Sequence, residues 1–299
     1  MSSIRRIVAA TDFSDFSERV VQRAARIVRQ HDAELHLLHV VRPLDLYPSL
    51  TLAPDEFTRH DQDLQQMEQT RLEELAATLA SQFGIRIRSV TRLGRAHAEI
   101  ARYAQEVSAD MVAAGARGES TLVDMFLGST VSRVLRVTTC PVLIVRKPAD
   151  ESYRRVLAAV DFSPMSAAVI SHAISLADGA QVDTLHVLGS EVGQRLRKAR
   201  MNLVDVADWL ERIRSGAGTQ LDALLESIED TAAVGRLIQP GFPPATICQC
   251  IEERHVDLVV LGRHGHGGGL QDWLLGSVSK DVAFAAKCDV LLISPGGRG

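Results

Sequence analysis

Residues Gly115 to Ser129 read GARGESTLVDMFLGS and follow directly on the apolar run ADMVAAG. Glycines 115, 118 and 128 and the hydroxyl of Ser129 thus stand behind a strand-like segment and ahead of a helix start. With no Cβ at the glycines, backbone N–H groups can approach an anion closely, and a helix start adds unpaired N–H groups of its own. The run reads as a cradle for the phosphates of a nucleotide. A near copy, GRHGHGGGLQDWLLGS, spans Gly262 to Ser277.

The copy extends well beyond the glycines. Asp12 and Asp161, His39 and His186, Gly115 and Gly262, and Cys140 and Cys288 are separated by 147 to 149 residues in each case. A nearly constant offset of that size implies a whole domain repeated in tandem, since it is far too long for a solenoid unit. The proline-bearing polar joint KPADESYRR, around Pro148 to Glu151, marks the boundary, giving expected domains at 1–148 and 149–299.

Between the glycine runs, short apolar segments alternate with stretches of helical spacing. IRRIVAAT, ELHLLHVV, IRIRSVTRL, DMVAAG and PVLIVR read as strands in the first half; YRRVLAAV, QVDTLHVL, AVGRLIQ, DLVVLG and DVLLIS follow in the second. The helical stretches include SERVVQRAARIVRQ, the long DEFTRHDQDLQQMEQTRLEELAATLASQF, AHAEIARYAQEVS and TVSRVLRVT. Such alternation predicts an α/β fold: two tandem open parallel five-stranded sheets with helices on both faces. A strand order of 3-2-1-4-5 puts the topological switch point between strand 1, ending at Asp12, and strand 4, ending at Gly115. Ser14 is a candidate N-cap, and Ser163 with Pro164 suggests the same in the second half.

Composition narrows the partners. The net charge is -4, and the positive charge, almost all arginine, is spread along the chain, which argues against nucleic acid. No apolar run approaches the roughly 20 residues that span a bilayer, and MSSIRRIVAATDF passes from two arginines straight into a strand. The four cysteines, 140, 248, 250 and 288, form no CxxC pair and fit a reducing compartment. These features lead to the expectation of a cytoplasmic protein with no membrane or nucleic-acid partner.

Gly115, two residues, Gly118, nine more, then Gly128 and Ser129 make up a pattern that resembles the nucleotide-binding signature of the universal stress protein family. VAATDFSDFS, LLHVV and GSTVSRVLRVTTCPVLIVR occur in that family's order in the first half, and LAAVDFSPMS, TLHVL and LLGSVSKDVAFAAKCDVLLIS in the second. The resemblance implies a tandem two-domain member that binds ATP or another adenine nucleotide, with or without Mg, in stress response or signalling. Asp12 and Val40 would hold the adenosine end. Gly115, Arg117, Gly118, Gly128, Ser129 and Thr130 would hold ribose and phosphates. It also implies that PVLIVR and DVLLIS pair the two halves within the chain and that the chain forms homodimers.

The second set of positions, Asp161, Val187, Gly262, Gly265, Gly276, Ser277 and Val278, departs from the pattern. Ten residues separate Gly265 from Gly276 where nine separate Gly118 from Gly128, and glycines 267 to 269 loosen the loop. Ordering it on a ligand costs more conformational entropy, so a weaker or altered site is expected. His264 and His266 stand two apart with no third ligand near in sequence, and no metal is assigned to them. His39 and His186, at matching strand ends, read as satisfied buried histidines.

Two other classes compete. An adenylating enzyme would carry an HxGH-type or SGGxDS-type motif soon after strand 1, where this chain has TDFSDFS and VDFSPMS. The GxxxxGK[ST] loop is missing too, and no general base can be named, so catalysis is at most slow ATP hydrolysis and no catalytic residue is assigned. A nucleotide-independent dimeric scaffold is the remaining alternative.

Overall fold

Ile7, Val8 and Ala9 are wholly shielded from solvent, as an unbroken apolar run demands of a strand covered on both faces. They lie in β1 (Arg6–Thr11), which pairs in parallel with a strand on either side. This computed structural model describes residues 4–44, 54–116, 127–149, 151–189, 203–265 and 275–294. The chain divides into two compact units between Glu151 and Ser152.

The first unit runs β1, α1 (Asp15–His31), β2 (Glu34–Val41), α2 (Pro54–Phe83), β3 (Arg86–Leu93), α3 (Ala96–Glu106), β4 (Met111–Gly115), α4 (Ser129–Val137) and β5 (Val142–Val145). The second runs β6 (Arg155–Val160), α5 (Ser166–Ala177), β7 (Gln181–Gly189), α6 (Leu203–Glu226), β8 (Gly235–Gly241), α7 (Pro243–Glu253), β9 (Leu258–Gly262), α8 (Ser277–Ala285) and β10 (Asp289–Ile293). Strand order is β3-β2-β1-β4-β5 in the first unit and β8-β7-β6-β9-β10 in the second. The pairings within each unit are parallel. Both are the expected 3-2-1-4-5 order. Right-handed crossovers then put α1 and α2 on one face of the first sheet and α3 and α4 on the other, and α1 contacts α2 while α3 contacts α4.

The first unit is held together by polar side chains at defined places. Three arginines of α1 spaced i, i+4, i+7 serve the chain leaving β5. Arg19 donates to the carbonyl of Arg146, Arg23 to those of Glu151 and Pro148, and Arg26 to that of Ala149. Gln65 Nε2 donates to the carbonyl of Thr91, and the Thr91 amide donates to Gln69 Oε1, each at 3.0 Å. Because β3 is the sheet's edge, these glutamines satisfy strand groups that would otherwise stay open to pairing. Deeper in, Tyr103 of α3 is hydrogen-bonded to His36 Nδ1 of β2 at 2.8 Å, joining the face of the sheet to the helix above it.

Each central strand turns into its helix through a short hydrogen-bonded network, and here the halves differ. Ser14 caps α1 by accepting from the amide of Ser17, as expected. Ser17 Oγ donates to the Ser14 carbonyl, so Thr11 Oγ1, 2.9 Å away, donates to Ser17 while accepting from the Phe13 amide. In the second unit Ser163 does not cap the helix. Its carbonyl accepts from the Ser166 amide in a turn, and α5 begins only at Ser166, after Pro164. Val160 stands where Thr11 stands, and the buried Ser166 Oγ, equivalent to Ser17, has no hydrogen-bond partner.

An unpartnered buried hydroxyl costs about 1–3 kcal/mol. Val160→Thr is therefore expected to raise the stability of the second unit by about 1 kcal/mol, and Thr11→Val to lower that of the first by a similar amount. Both tryptophans, 209 and 273, lie in the second half, so urea unfolding followed by tryptophan fluorescence reports the Val160 variant directly. A loss of stability on Val160→Thr would show that the methyl group's packing outweighs the missing bond.

His172 of α5 and His36 are buried. Burial is the first cause that pushes each imidazole below 6.5; the Ala168 carbonyl bonded to His172, and the Glu34 carboxylate beside His36, pull the other way without reversing it. The folded protein thus refuses protons that the unfolded chain accepts. Stability is full above about pH 6.5, and it declines on acidification from that point until the lowered folded value is reached, by up to about 1.4 kcal/mol per pH unit for each imidazole. His172→Leu should flatten that decline for the second unit between pH 6.5 and 5.5 in the same fluorescence assay. An unchanged slope would assign the acid sensitivity to other groups.

Candidate functional site

Parallel registry brings the first candidate residues together. Thr11 pairs with His39, so one residue further on Asp12 comes level with Val40. The same ladder in the second unit pairs Val160 with His186 and brings Asp161 level with Val187. On its other side β1 pairs with β4 through Ala9 and Ala113, which sets Gly115, the last residue of β4, beside Thr11. Asp12, Val40 and Gly115 thus end three adjacent strands on one surface.

Asp12 is shaped by its turn. Its Oδ1 accepts from the amide and the hydroxyl of Ser14, at 3.2 and 2.6 Å, while Asp161 Oδ1 accepts from the Ser163 amide at 3.0 Å. The next residue in each unit is a phenylalanine in the left-handed region, Phe13 at φ 60° and Phe162 at φ 61°. A bulky residue holds that conformation only where its surroundings enforce it. A histidine supplies the enforcement: the Phe13 and His39 rings are 4.6 Å apart, and the Phe162 and His186 rings 4.2 Å. His39 Nδ1 donates to the Thr11 carbonyl and His186 Nδ1 to that of Val160. These histidines are satisfied, but half-buried rather than buried as expected, because they stand at strand ends.

Over Asp12 and Val40 lies a cavity of about 800 Å³, within the ~300–1,000 Å³ typical of small-molecule sites. Its described walls are the β1–α1 turn, the end of β2 with Arg42, and one face of α2 that presents Leu64, Glu68 and Arg71. The Arg71 guanidinium lies 4.2 Å from the centre of the Phe13 ring, a second contact on the ring that His39 meets at a tilt of 40°. Three carboxylates, Asp12, Asp15 and Glu68, face two guanidiniums there. Leu64, Glu68, Arg71 and Phe13 were not foreseen. The i, i+4, i+7 spacing on α2 was visible in the sequence, but nothing in it said which row of that helix faces the crevice.

Toward β4 the surface changes character. Gly128 is the N-cap of α4 and, having no side chain, puts no side-chain cap on the first-turn amides of Ser129 and Thr130, while its carbonyl accepts from the Ser132 amide. Arg133 of α4 and Arg95 ahead of α3 lie near His97. Burial first, then those two charges, pushes its imidazole below 6.5. Arg117 and Gly118 lie outside the described residues. The base of the loop that contains them is closed by the Gly128 amide donating to the Ala116 carbonyl at 2.8 Å.

The second unit has the same closure, with the Gly276 amide donating to the Arg263 carbonyl at 2.9 Å and Gly276 as N-cap of α8 ahead of Ser277 and Val278. The extra residue is therefore absorbed inside the loop and leaves strand and helix in place. A Cβ on Gly265 would fall 2.5 Å from Asp161 Oδ2, and one on Gly276 would fall 3.1 Å from the Arg263 carbonyl. These glycines let backbone and carboxylate approach as a side chain would forbid. Ser279 Oγ donates to the carbonyl of Gly262 at 2.6 Å, tying α8 to the end of β9. Both ring nitrogens of His264 are buried and make no hydrogen bond, and His266 lies outside the described residues. Among the described residues no three His, Cys, Asp or Glu side chains gather to hold a metal ion, and no helix is long and apolar enough to cross a membrane.

Comparison with known proteins accords with this architecture. Residues 3–146 and 152–294 each match the universal stress protein family. A universal stress protein of Mycolicibacterium smegmatis is 30% identical across 97% of both chains. The universal stress protein YxiE of Bacillus subtilis is 30% identical over 98% of its own length and 47% of this chain. In fold, the crystal structure of a universal stress protein from Archaeoglobus fulgidus superposes with a TM-score of 0.68 at 22% identity, covering 97% of this chain and 98% of that one. Two matches to one family in tandem, with a relative that spans both, establish that the chain belongs to the universal stress protein family.

Proposed function

We infer that this protein binds ATP or another adenine nucleotide, with or without Mg, and acts in stress response or signalling through that bound state. The observation that carries this reading is the polarity of the strand-end surface in the first unit. Over β1 and β2 lies a cavity with an excess of carboxylates around Asp12 and Val40, a setting that repels phosphate and suits the hydrogen-bond donors of a nucleoside. Over β4 stands the start of α4, which has no side-chain cap, with Arg133 and Arg95 near His97 of the neighbouring helix; there a helix dipole favours phosphate.

The residues fit a nucleotide lying across the switch point. Asp12 and Val40 would take the adenosine, and Gly115, Gly128, Ser129 and Thr130, with Arg117 and Gly118, would take ribose and phosphates. When bound, Mg would supply charge neutralisation at the phosphates. The second unit offers the same parts in Asp161, Val187, Gly262, Gly265, Gly276, Ser277 and Val278, but its longer loop must be ordered at greater entropic cost, and we assign it the weaker site.

Denaturing the purified protein and identifying what it releases by mass spectrometry tests the reading, together with calorimetric titration of ATP. Asp12→Ala is expected to weaken binding by roughly tenfold, the worth of a hydrogen bond to a charged group. Gly118→Val should remove most of the adenine-nucleotide binding and Gly265→Val less. Wild-type affinity in Gly118→Val would overturn the assignment to the first unit. Protein that neither carries nor binds an adenine nucleotide would leave the scaffold reading in its place.

A further inference from the structure

One wall of the cavity over β1 and β2 is joined by two contacts to the segment that leaves the first unit. Phe16, in the first turn of α1, lines that cavity and is 37% exposed. The Arg19 guanidinium lies over its ring at 5.0 Å, and Arg19 Nη1 donates to the Arg146 carbonyl at 3.3 Å. Arg146 is the first residue after β5, at the head of the linker that ends the first unit at Glu151.

The three arginines that hold this linker differ in what else they touch. Arg23 is buried and donates to the carbonyls of Glu151 and Pro148 at 2.7 and 3.2 Å. Arg26 donates to the Ala149 carbonyl and lies over the ring of Phe83, and neither Arg26 nor Phe83 is among the described walls of the cavity. Arg19 stands between a cavity wall and the linker. The second unit has Met165 in place of Phe16 and Ala168, His172 and Ser175 in place of the three arginines. The row therefore serves a task of the first unit and not the fold that both halves share.

A half-exposed ring is free to change rotamer. When it does, Arg19 loses its platform, and a single hydrogen bond to Arg146 is left to hold it. A ligand that fills the cavity packs against the ring in the rotamer that seats Arg19, and such a differential contact is what shifts an equilibrium between two arrangements. Resting on the nucleotide reading above, we propose that Phe16 and Arg19 couple occupancy of the cavity to the hold on the linker. Nucleotide seats the Phe16 ring, the ring seats Arg19, and Arg19 secures the chain at Arg146. The coupling is reciprocal, so a seated linker also raises the affinity for nucleotide.

Hydrogen–deuterium exchange of the peptide that follows β5, read on the full chain with and without saturating ATP, tests the coupling beside calorimetric titration of the same samples. In wild type ATP is expected to slow exchange there by about threefold, the worth of one exposed contact between a cation and an aromatic ring. Arg19→Met should bring that ratio close to one and weaken ATP binding by no more than about threefold. Phe16→Leu, which keeps an apolar wall but gives Arg19 no ring, should abolish the ratio as well. Arg26→Met loosens the linker without touching Phe16 or Arg19, so exchange should quicken with and without ATP while the ratio is kept. A wild-type ratio near one while ATP binds overturns the proposal and leaves the nucleotide reading standing. An undiminished ratio in Arg19→Met takes Arg19 out of the coupling, and loss of the ratio in Arg26→Met makes the protection a matter of overall stability; either overturns it equally. If calorimetry finds no binding of ATP to wild type, the nucleotide reading itself has failed.

Discussion

Two parallel ladders on β1 set the geometry of the first unit's strand-end surface. Because β1 is paired on both sides, with Thr11 against His39 and Ala9 against Ala113, its end fixes where the ends of β2 and β4 lie. Asp12, Val40 and Gly115 come together for that reason alone, though 28 residues or more separate them along the chain. The strand can serve this purpose because Ile7, Val8 and Ala9 are buried without exception. A one-residue slip would disturb both ladders at once.

The duplicated unit shows which parts of the surface are architecture and which are chemistry. The left-handed phenylalanine, the histidine whose ring packs against it at a tilt and the glycine amide that closes the loop base recur in both halves. Around them the polar interior has diverged. Thr11 becomes Val160, leaving Ser166 unpartnered. Arg23, which holds the chain after β5, corresponds to His172, which turns back to its own helix. The pair of His36 and Tyr103 corresponds to Asp183 and Cys250, and Asp183 bonds instead to Arg254. Duplication preserved the left-handed phenylalanine with its histidine and the loop-base closure, and left each turn and core to find its own hydrogen bonds.

Charge is distributed along the strand ends in a way that the net charge of -4 conceals. Carboxylates collect over β1, β2 and α2, and a helix start without a side-chain cap lies toward α3 and α4, the helices that carry arginines near His97. An elongated ligand with one neutral and one anionic end would find its direction from this separation before any specific contact formed.

The amino-acid sequence by itself determined the class of the fold, the tandem repeat and the ends of the strands that matter, because burial on both faces writes an unbroken apolar run and a glycine loop interrupts it visibly; the expected strand order was one the pairing of the strands had to supply. Ser14 as a cap and Gly128 as a helix start were legible for the same local reason. Ser163 misled, since a Ser-Pro pair suits a turn ahead of a helix as well as the helix's first residue. Only the tertiary structure decided that α2 presents Leu64, Glu68 and Arg71 to the crevice and Gln65, Gln69 and Leu72 to the sheet. Both rows have the same helical spacing, and which of them turns inward depends on hydrogen bonds to Thr91 in a strand more than 20 residues away. The strained Phe13 lay beyond the sequence as well, because the conformation is imposed by a histidine that approaches from the neighbouring strand.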